Sequence, residues 1–287
     1  MHRSATTNCL ILFVWFVAAD KNVLIVYAHQ SANSFNAAAK DAAVEVLQVQ
    51  GCKVVLSDLY SMKFKAPATA EDIIGEPQNS DDFHYGHEAM VALKENKLST
   101  DIIEEHKKVK EANIIIFQFP MYWFGLPAIL KGWIDRVFTP GFAFTTEEIY
   151  SNGFFKDKKA ILSFTTGSHE SMFNSSGIHG DMNVTLWPIQ NGILHYCGFQ
   201  VLAPQIFWAP KHATAEDRKA LLEVWRKRLE GLLEEKPLAF TPSDCFDGGA
   251  GFQLKESEKE KWAAEQFGPT VGHHLGKPLP PNNQLQV

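Results

Sequence analysis

The sequence predicts an α/β chain built on a doubly wound parallel sheet, and three observations carry that reading. Short apolar runs of strand length alternate with longer segments of helical periodicity. The runs are apolar throughout rather than at every second position, which suits strands covered on both faces. The length agrees, because 287 residues fit one large domain with an appended tail better than two equal domains.

Residues 22–28 (Asn-Val-Leu-Ile-Val-Tyr-Ala) read as the first strand, and 35–50 as an Ala-rich helix that Gly51 stops. A second strand follows over 53–57. The stretch 58–100 carries Pro67, Gly75, Pro77 and Gly86 with weak periodicity, and a connection that long is functional or holds short helices of its own. A charged helix spans 101–111, and the run 113–119 is a buried strand. Pro127 opens the next helix, where a missing N–H costs nothing, and that helix reaches about Phe138. Strand 159–165, helix 187–196 and strand 201–207 continue the alternation. Thr214 with Asp217 three residues on has the form of a capping box; Leu221, Val224, Trp225, Leu229, Leu232 and Leu233 then recur at helical spacing toward Lys236. Five strands alternating with helices imply a five-stranded, flavodoxin-like sheet with right-handed crossovers. The chain divides into an extension over 1–20, the α/β domain over 21–236 and a Gly- and Pro-rich C-terminal extension over 237–287 with no clear element.

A net charge of −6 supplies no basic field, which argues against nucleic acid and anionic membrane as partners. Cys9, Cys52, Cys197 and Cys245 make no CxxC pair and no dense framework, so the thiols read as reduced and the compartment as cytoplasmic. The first residues pull the other way. Arg3 precedes an uncharged apolar run from Cys9 to Ala19 that ends Val17-Ala18-Ala19, the form of a secretory leader, though too short to span a bilayer. Against secretion, the sequons Asn174-Ser175-Ser176 and Asn183-Val184-Thr185 lie in the loop argued below to form the site. A working leader stays open, and an alternative start or an uncleaved extension is preferred.

Chemistry concentrates in the loops after three strands. Phe117-Gln118-Phe119-Pro120 runs into Met121, Tyr122, Trp123, Phe124 and Gly125, and aromatic rings outside the carboxyl end of a strand offer a flat ligand such as a flavin a stacking surface. The bland alternative is a hydrophobic plug on the sheet. After the first strand, Ala28-His29-Gln30-Ser31 leads through Ser34, Phe35 and Asn36 into a helix whose N-terminal N–H groups can hold a phosphate. On spacing alone His29 is more often a turn residue than a ligand contact. The third loop, Thr165, Thr166, Gly167 and Ser168, brings hydroxyls and one glycine to a ring edge. It continues to His179 between Gly177-Ile178 and Gly180, which reads either as a proton partner and charge stabiliser or as a solvated loop histidine.

These motifs bring a resemblance into view. From Asn22 onward, His29 with Ser34-Phe35-Asn36, Ser57-Asp58-Leu59-Tyr60, Phe117 to Phe124, Pro127-Ala128-Ile129-Leu130-Lys131-Gly132-Trp133, Gly177-Ile178-His179-Gly180-Asp181-Met182-Asn183 and Leu186-Trp187-Pro188 resemble the NAD(P)H:quinone oxidoreductases of the DT-diaphorase type. The tail Val271-Gly272-His273-His274-Leu275-Gly276-Lys277 is similar to the C-terminal extension of the NAD(P)H-using member, which a shorter sister lacks. The resemblance implies FAD, NAD(P)H as hydride donor, two-electron ping-pong reduction of a quinone through flavin N5, and a homodimer with sites completed across the interface. It assigns FAD contacts to His29, Phe35, Asn36, His84, Met121, Tyr122, Trp123, Phe124, Thr165, Thr166, Gly167, Ser168, Phe173 and Arg218. It lines the substrate site with Trp123, Phe124, Ala143, Phe144, Thr145, His179 and Tyr196, and makes His179 catalytic. Phe173 stands where the family has an active-site tyrosine, and Phe144 and Thr146 likewise replace tyrosines. Asn191 and Phe240 stand where the sister enzyme binds a structural metal with the equivalent of His195, so no metal is expected. The lost hydroxyls leave an alternative open, a flavin-loaded interaction protein with weak turnover.

Overall fold

The computed structural model describes residues 21–281, so the leader-like segment and Cys9 lie outside the described residues. Strands β1 (Asn22–Tyr27), β2 (Lys53–Asp58), β3 (Ile114–Pro120) and β4 (Lys159–Thr165) pair in parallel in the order β2-β1-β3-β4. Helices α1 (Phe35–Val49), α2 (Tyr85–Lys94), α3 (Thr100–Glu111) and α4 (Ala128–Val137) fall between them. The long second connection therefore carries α2, one of the two outcomes its length allowed.

Alternate strand residues feed two cores. Val23, Ile25, Ile114, Ile116 and Ile161 pack with Ala39, Ala43 and Leu47 of α1 and with Trp225 and Leu229. Their neighbours Leu24, Val26, Ile115, Phe117 and Leu162 pack with Val109, Leu130, Trp133 and Val137 of α3 and α4. Because both faces are covered, the strands read as unbroken apolar runs.

The fifth strand departs from expectation. It is broken into β5 (Gln200–Val201) and β6 (Gln205–Phe207), both pairing with β4. Pro204 lies between them and cannot donate to the ladder. The carbonyls of Ala203 and Pro204 are met instead by the Arg228 guanidinium, at 2.5 and 2.9 Å. The helix before it also differs. α5 (Met182–Ile189) starts five residues ahead of the expected 187, capped by Asp181, and passes through Pro188 into a π-helical segment, Gln190–His195. Proline's missing N–H loosens the ladder there.

Thr214 and Asp217 make the expected capping box at the head of α6 (Ala215–Gly231). The tail is more ordered than its composition suggests: β7 (Phe246–Asp247) and β8 (Gln253–Leu254) form a small antiparallel pair, followed by α7 (Glu256–Ala263). It is docked rather than solvated. Thr270 and Val271 are buried, and a Cβ on Gly272 would lie 2.1 Å from the Trp187 ring, so only glycine lets the tail approach so closely.

Candidate functional site at the strand ends

Strand order reverses between β1 and β3, which opens a crevice outside their carboxyl ends. Three loops meet there. After β1, Ser34 caps α1 by accepting from the Ala37 N–H. His29 accepts from the Ser31 N–H at 3.0 Å through Nδ1, so a neutral ring carries its proton on Nε2. Burial lowers the His29 pKa, which favours the neutral ring. A cavity of about 350 Å³ adjoins it, lined among others by Tyr27, Lys40 and Asp58.

After β3 the aromatic loop is a tight turn. Tyr122 and Gly125 exchange backbone bonds of 3.1 and 3.0 Å, and both corner residues are left-handed, Trp123 at φ +49° and Phe124 at φ +60°. Two positive φ values at the corners belong to a turn normally built from Gly, Asn or Asp. Bulky side chains there cost on the order of 1–2 kcal/mol each. Packing does not repay it at Trp123, which is 97% exposed. A plug would be buried; this turn holds its aromatic rings out toward solvent. Met121 anchors it through its N–H to the Thr165 carbonyl at 2.9 Å.

After β4, Thr166 fixes the third loop: its hydroxyl donates to the Ser168 carbonyl at 2.8 Å and accepts from the Ala209 N–H at 3.2 Å. A Cβ on Gly167 would meet no atom within 4 Å, so its face is open to a ligand. His179 is held by its N–H on the Met172 carbonyl at 2.9 Å, a contact Gly177 permits because a Cβ there would sit 2.4 Å from that same oxygen. The ring of Phe173 lies 4.8 Å from His179 and 5.8 Å from Phe124, and Phe124 meets His179 edge-on at 5.3 Å. His179 Nε2 bonds Ser168 Oγ at 3.1 Å.

Beneath the loops runs a buried polar chain that sequence reading missed in part. Ser163 Oγ donates to Gln118 Oε1 at 2.6 Å, Gln118 Nε2 donates to Asn36 Oδ1 at 2.9 Å, and Asn36 Nδ2 donates to Thr165 Oγ1 at 2.9 Å. It ties all three loops to the sheet. The available signal was Gln118 itself, a lone amide in an otherwise apolar strand, which demands buried partners.

Other expected residues engage partners of their own. Phe35 packs its ring on Phe207 at 5.1 Å. Arg218 turns back to the Ala213 carbonyl at 2.6 Å. His84, at the exposed head of α2, bonds Asp82 at 3.0 Å. Ala143 is fully buried, while Thr145 caps its own turn by accepting from the Glu148 N–H. Phe144 meets Tyr196 at 5.4 Å, and Tyr196 meets Tyr150 at 5.2 Å. Among the described residues no ring contact joins this second aromatic group to the one around His179. A cavity of about 620 Å³ opens beside it, reached by Thr146, Asn191, Phe246, Phe252 and His273. His195 stacks on Phe240 at 4.4 Å, its Nε2 buried without a hydrogen-bond partner.

The residues fit a flavin: an open glycine face, an exposed aromatic turn, a capped helix N-terminus and a histidine converge on one crevice. Fold and site define a flavodoxin-like α/β protein of the redox type. A family model described as a flavodoxin-like fold matches residues 21–229. The chain is 51% identical over 273 residues to NAD(P)H dehydrogenase [quinone] 1 of Cavia porcellus, covering 94% of this chain and 99% of that one. It is also 51% identical to the ribosyldihydronicotinamide dehydrogenase [quinone] of Rattus norvegicus, over 80% of this chain and all of that one. A crystal structure described as a quinone reductase from Klebsiella pneumoniae superposes with a TM-score of 0.81 at 32% identity, over 89% of this chain and 99% of that one. The chain therefore belongs to the NAD(P)H:quinone oxidoreductase family of flavodoxin-like proteins. These relatives give no support to the interaction-protein alternative.

Proposed function

We propose that this chain is an enzyme that uses FAD and NAD(P)H to reduce quinones by two electrons, acting as a homodimer in the cytoplasm. The observation that carries the reading is the exposed Trp123-Phe124 turn, held in a strained conformation beside His179 at the ends of the central strands. FAD, held there, would supply two-electron hydride chemistry between NAD(P)H and a quinone. The chain's own part is binding and orientation. Trp123 and Phe124 supply a stacking face, the α1 N-terminus with His29 suits a phosphate, and the Thr165 to Ser168 loop offers backbone groups and hydroxyls to a ring edge. His179 is the group that would stabilise charge appearing at that edge.

The dimer is supported by what one chain leaves undone. Trp123 is almost wholly exposed, and the aromatic group around Tyr196 stands apart from the one around His179. A second subunit would bring the two together, with the tail's cavity beside the donor. No helix among the described residues is long and apolar enough to cross a membrane. The test is to purify the protein, release and identify its flavin, size it by sedimentation, and follow NADPH oxidation with a simple quinone. FAD in a dimer with quinone-dependent turnover is expected; FMN, or no flavin in folded protein, would end the reading.

A further inference from the structure

His179 has one side facing carbon. Phe173, 8% exposed, lays its ring 4.8 Å from the imidazole and Phe124 meets it edge-on, so neither offers a ring nitrogen a hydrogen-bond partner. Ser168 does. Its Oγ lies 3.1 Å from His179 Nε2, and both partners are pinned independently of each other. Ser168 is set by the buried hydroxyl of Thr166 on its carbonyl, and His179 by its N–H on the Met172 carbonyl. The bond ties the 165–168 loop to the loop at Gly177 and Gly180, across the mouth of the crevice.

We infer that Ser168 is the positioning residue for His179, its hydroxyl holding the imidazole through Nε2 in one orientation toward the bound ring. The inference rests on the proposed quinone-reductase reading for its kinetic consequence and on the geometry alone for the ring's orientation. A hydroxyl can donate to Nε2 or accept from it, so the bond holds the ring in either tautomer. Phe173 lies against the same imidazole, so a phenol added there would offer that ring a second oxygen.

Two measurements test it. In the protein with histidine rings labelled, the ¹⁵N shift of His179 Nε2 should move in Ser168→Ala, where its hydrogen bond is lost, and return to the original value in Ser168→Thr. Unchanged shifts in Ser168→Ala would overturn the assignment whether or not flavin is bound. In stopped-flow reduction of the loaded enzyme by NADPH, Ser168→Ala should slow the step about tenfold, and Ser168→Thr should restore it. In the Phe173→Tyr background the same alanine change should cost only about threefold or less, since the phenol replaces the lost partner. Equal losses in both backgrounds would leave Ser168 a mere loop residue. Absence of flavin or turnover in the unaltered protein would instead defeat the functional reading while leaving the ¹⁵N result to stand.

Discussion

At the scale of single residues, Phe173 is the position at which the resemblance implies a tyrosine. Its ring fills the place beside His179 but offers no proton donor. Adding the hydroxyl with Phe173→Tyr should speed flavin reduction by about tenfold, less than a general acid or base typically contributes because Ser168 already holds the imidazole. Stopped-flow absorbance checks this, and an unchanged or slower rate would show the phenol to be irrelevant here. Trp123 and Phe124 support a second prediction. Their left-handed backbone is a cost carried for binding, so Trp123→Gly should raise the melting temperature of flavin-free protein while weakening flavin affinity. A loss of both would mean that the turn is structural. The residue types of this site were legible because aromatic rings and histidines announce themselves. The strain was not, since φ depends on how the turn closes.

Secondary-structure elements were read well where periodicity is long and poorly where proline intervenes. β1 to β4 and the capped α6 stand close to their expected bounds. Pro204 splits the fifth strand, and Pro188 lies within a helix whose start the apolar pattern did not mark. Both are local conflicts settled by tertiary bonds, such as those of Arg228, that sequence spacing cannot display. The joint between α4 and the second connection shows the same dependence. Arg136, 1% exposed, donates to both oxygens of Asp72 at 3.0 and 2.9 Å and to Asp101 at 2.7 Å. Burial pushes the Asp72 carboxyl up, but bonds from Arg136, Lys65 and Tyr85 hold it below its ordinary value. Arg136→Met would leave the buried Asp72 carboxylate only Lys65 and Tyr85 as side-chain partners and should cost about 3 kcal/mol in urea unfolding. A cost under about 1 kcal/mol would show the pair to be dispensable.

For the whole molecule, pH exposes how the core is held. Burial lowers His106 and His195 to about 4. Because these folded-state values lie below the unfolded one near 6.5, the neutral rings contribute stability fully above that value and lose it as pH falls from about 6.5 to 4. Asp72 and Asp101, also held low, add their loss only below the ordinary carboxylate range. The urea midpoint should therefore decline in two stages, and replacing His106 with Phe should flatten the upper one; an unaltered upper stage would contradict the assignment to buried histidines. Overall architecture was legible because alternation of strand and helix constrains topology tightly. The docked tail was not, since its contacts with Trp187 pair residues far apart in sequence. Truncation after Lys236 should weaken NADPH use more than flavin binding; equal loss with a nicotinamide riboside donor would make the tail purely structural. The central claim is that the crevice at the strand ends binds a flavin that NAD(P)H reduces and quinone reoxidises. Its most direct test is the visible spectrum of the purified protein, titrated anaerobically with NADPH and then with a quinone. A flavin band should bleach with one equivalent of NADPH per site and return with one equivalent of quinone; a folded protein with no such band, or a band that NADPH leaves unchanged, would contradict flavin binding and reduction in this crevice.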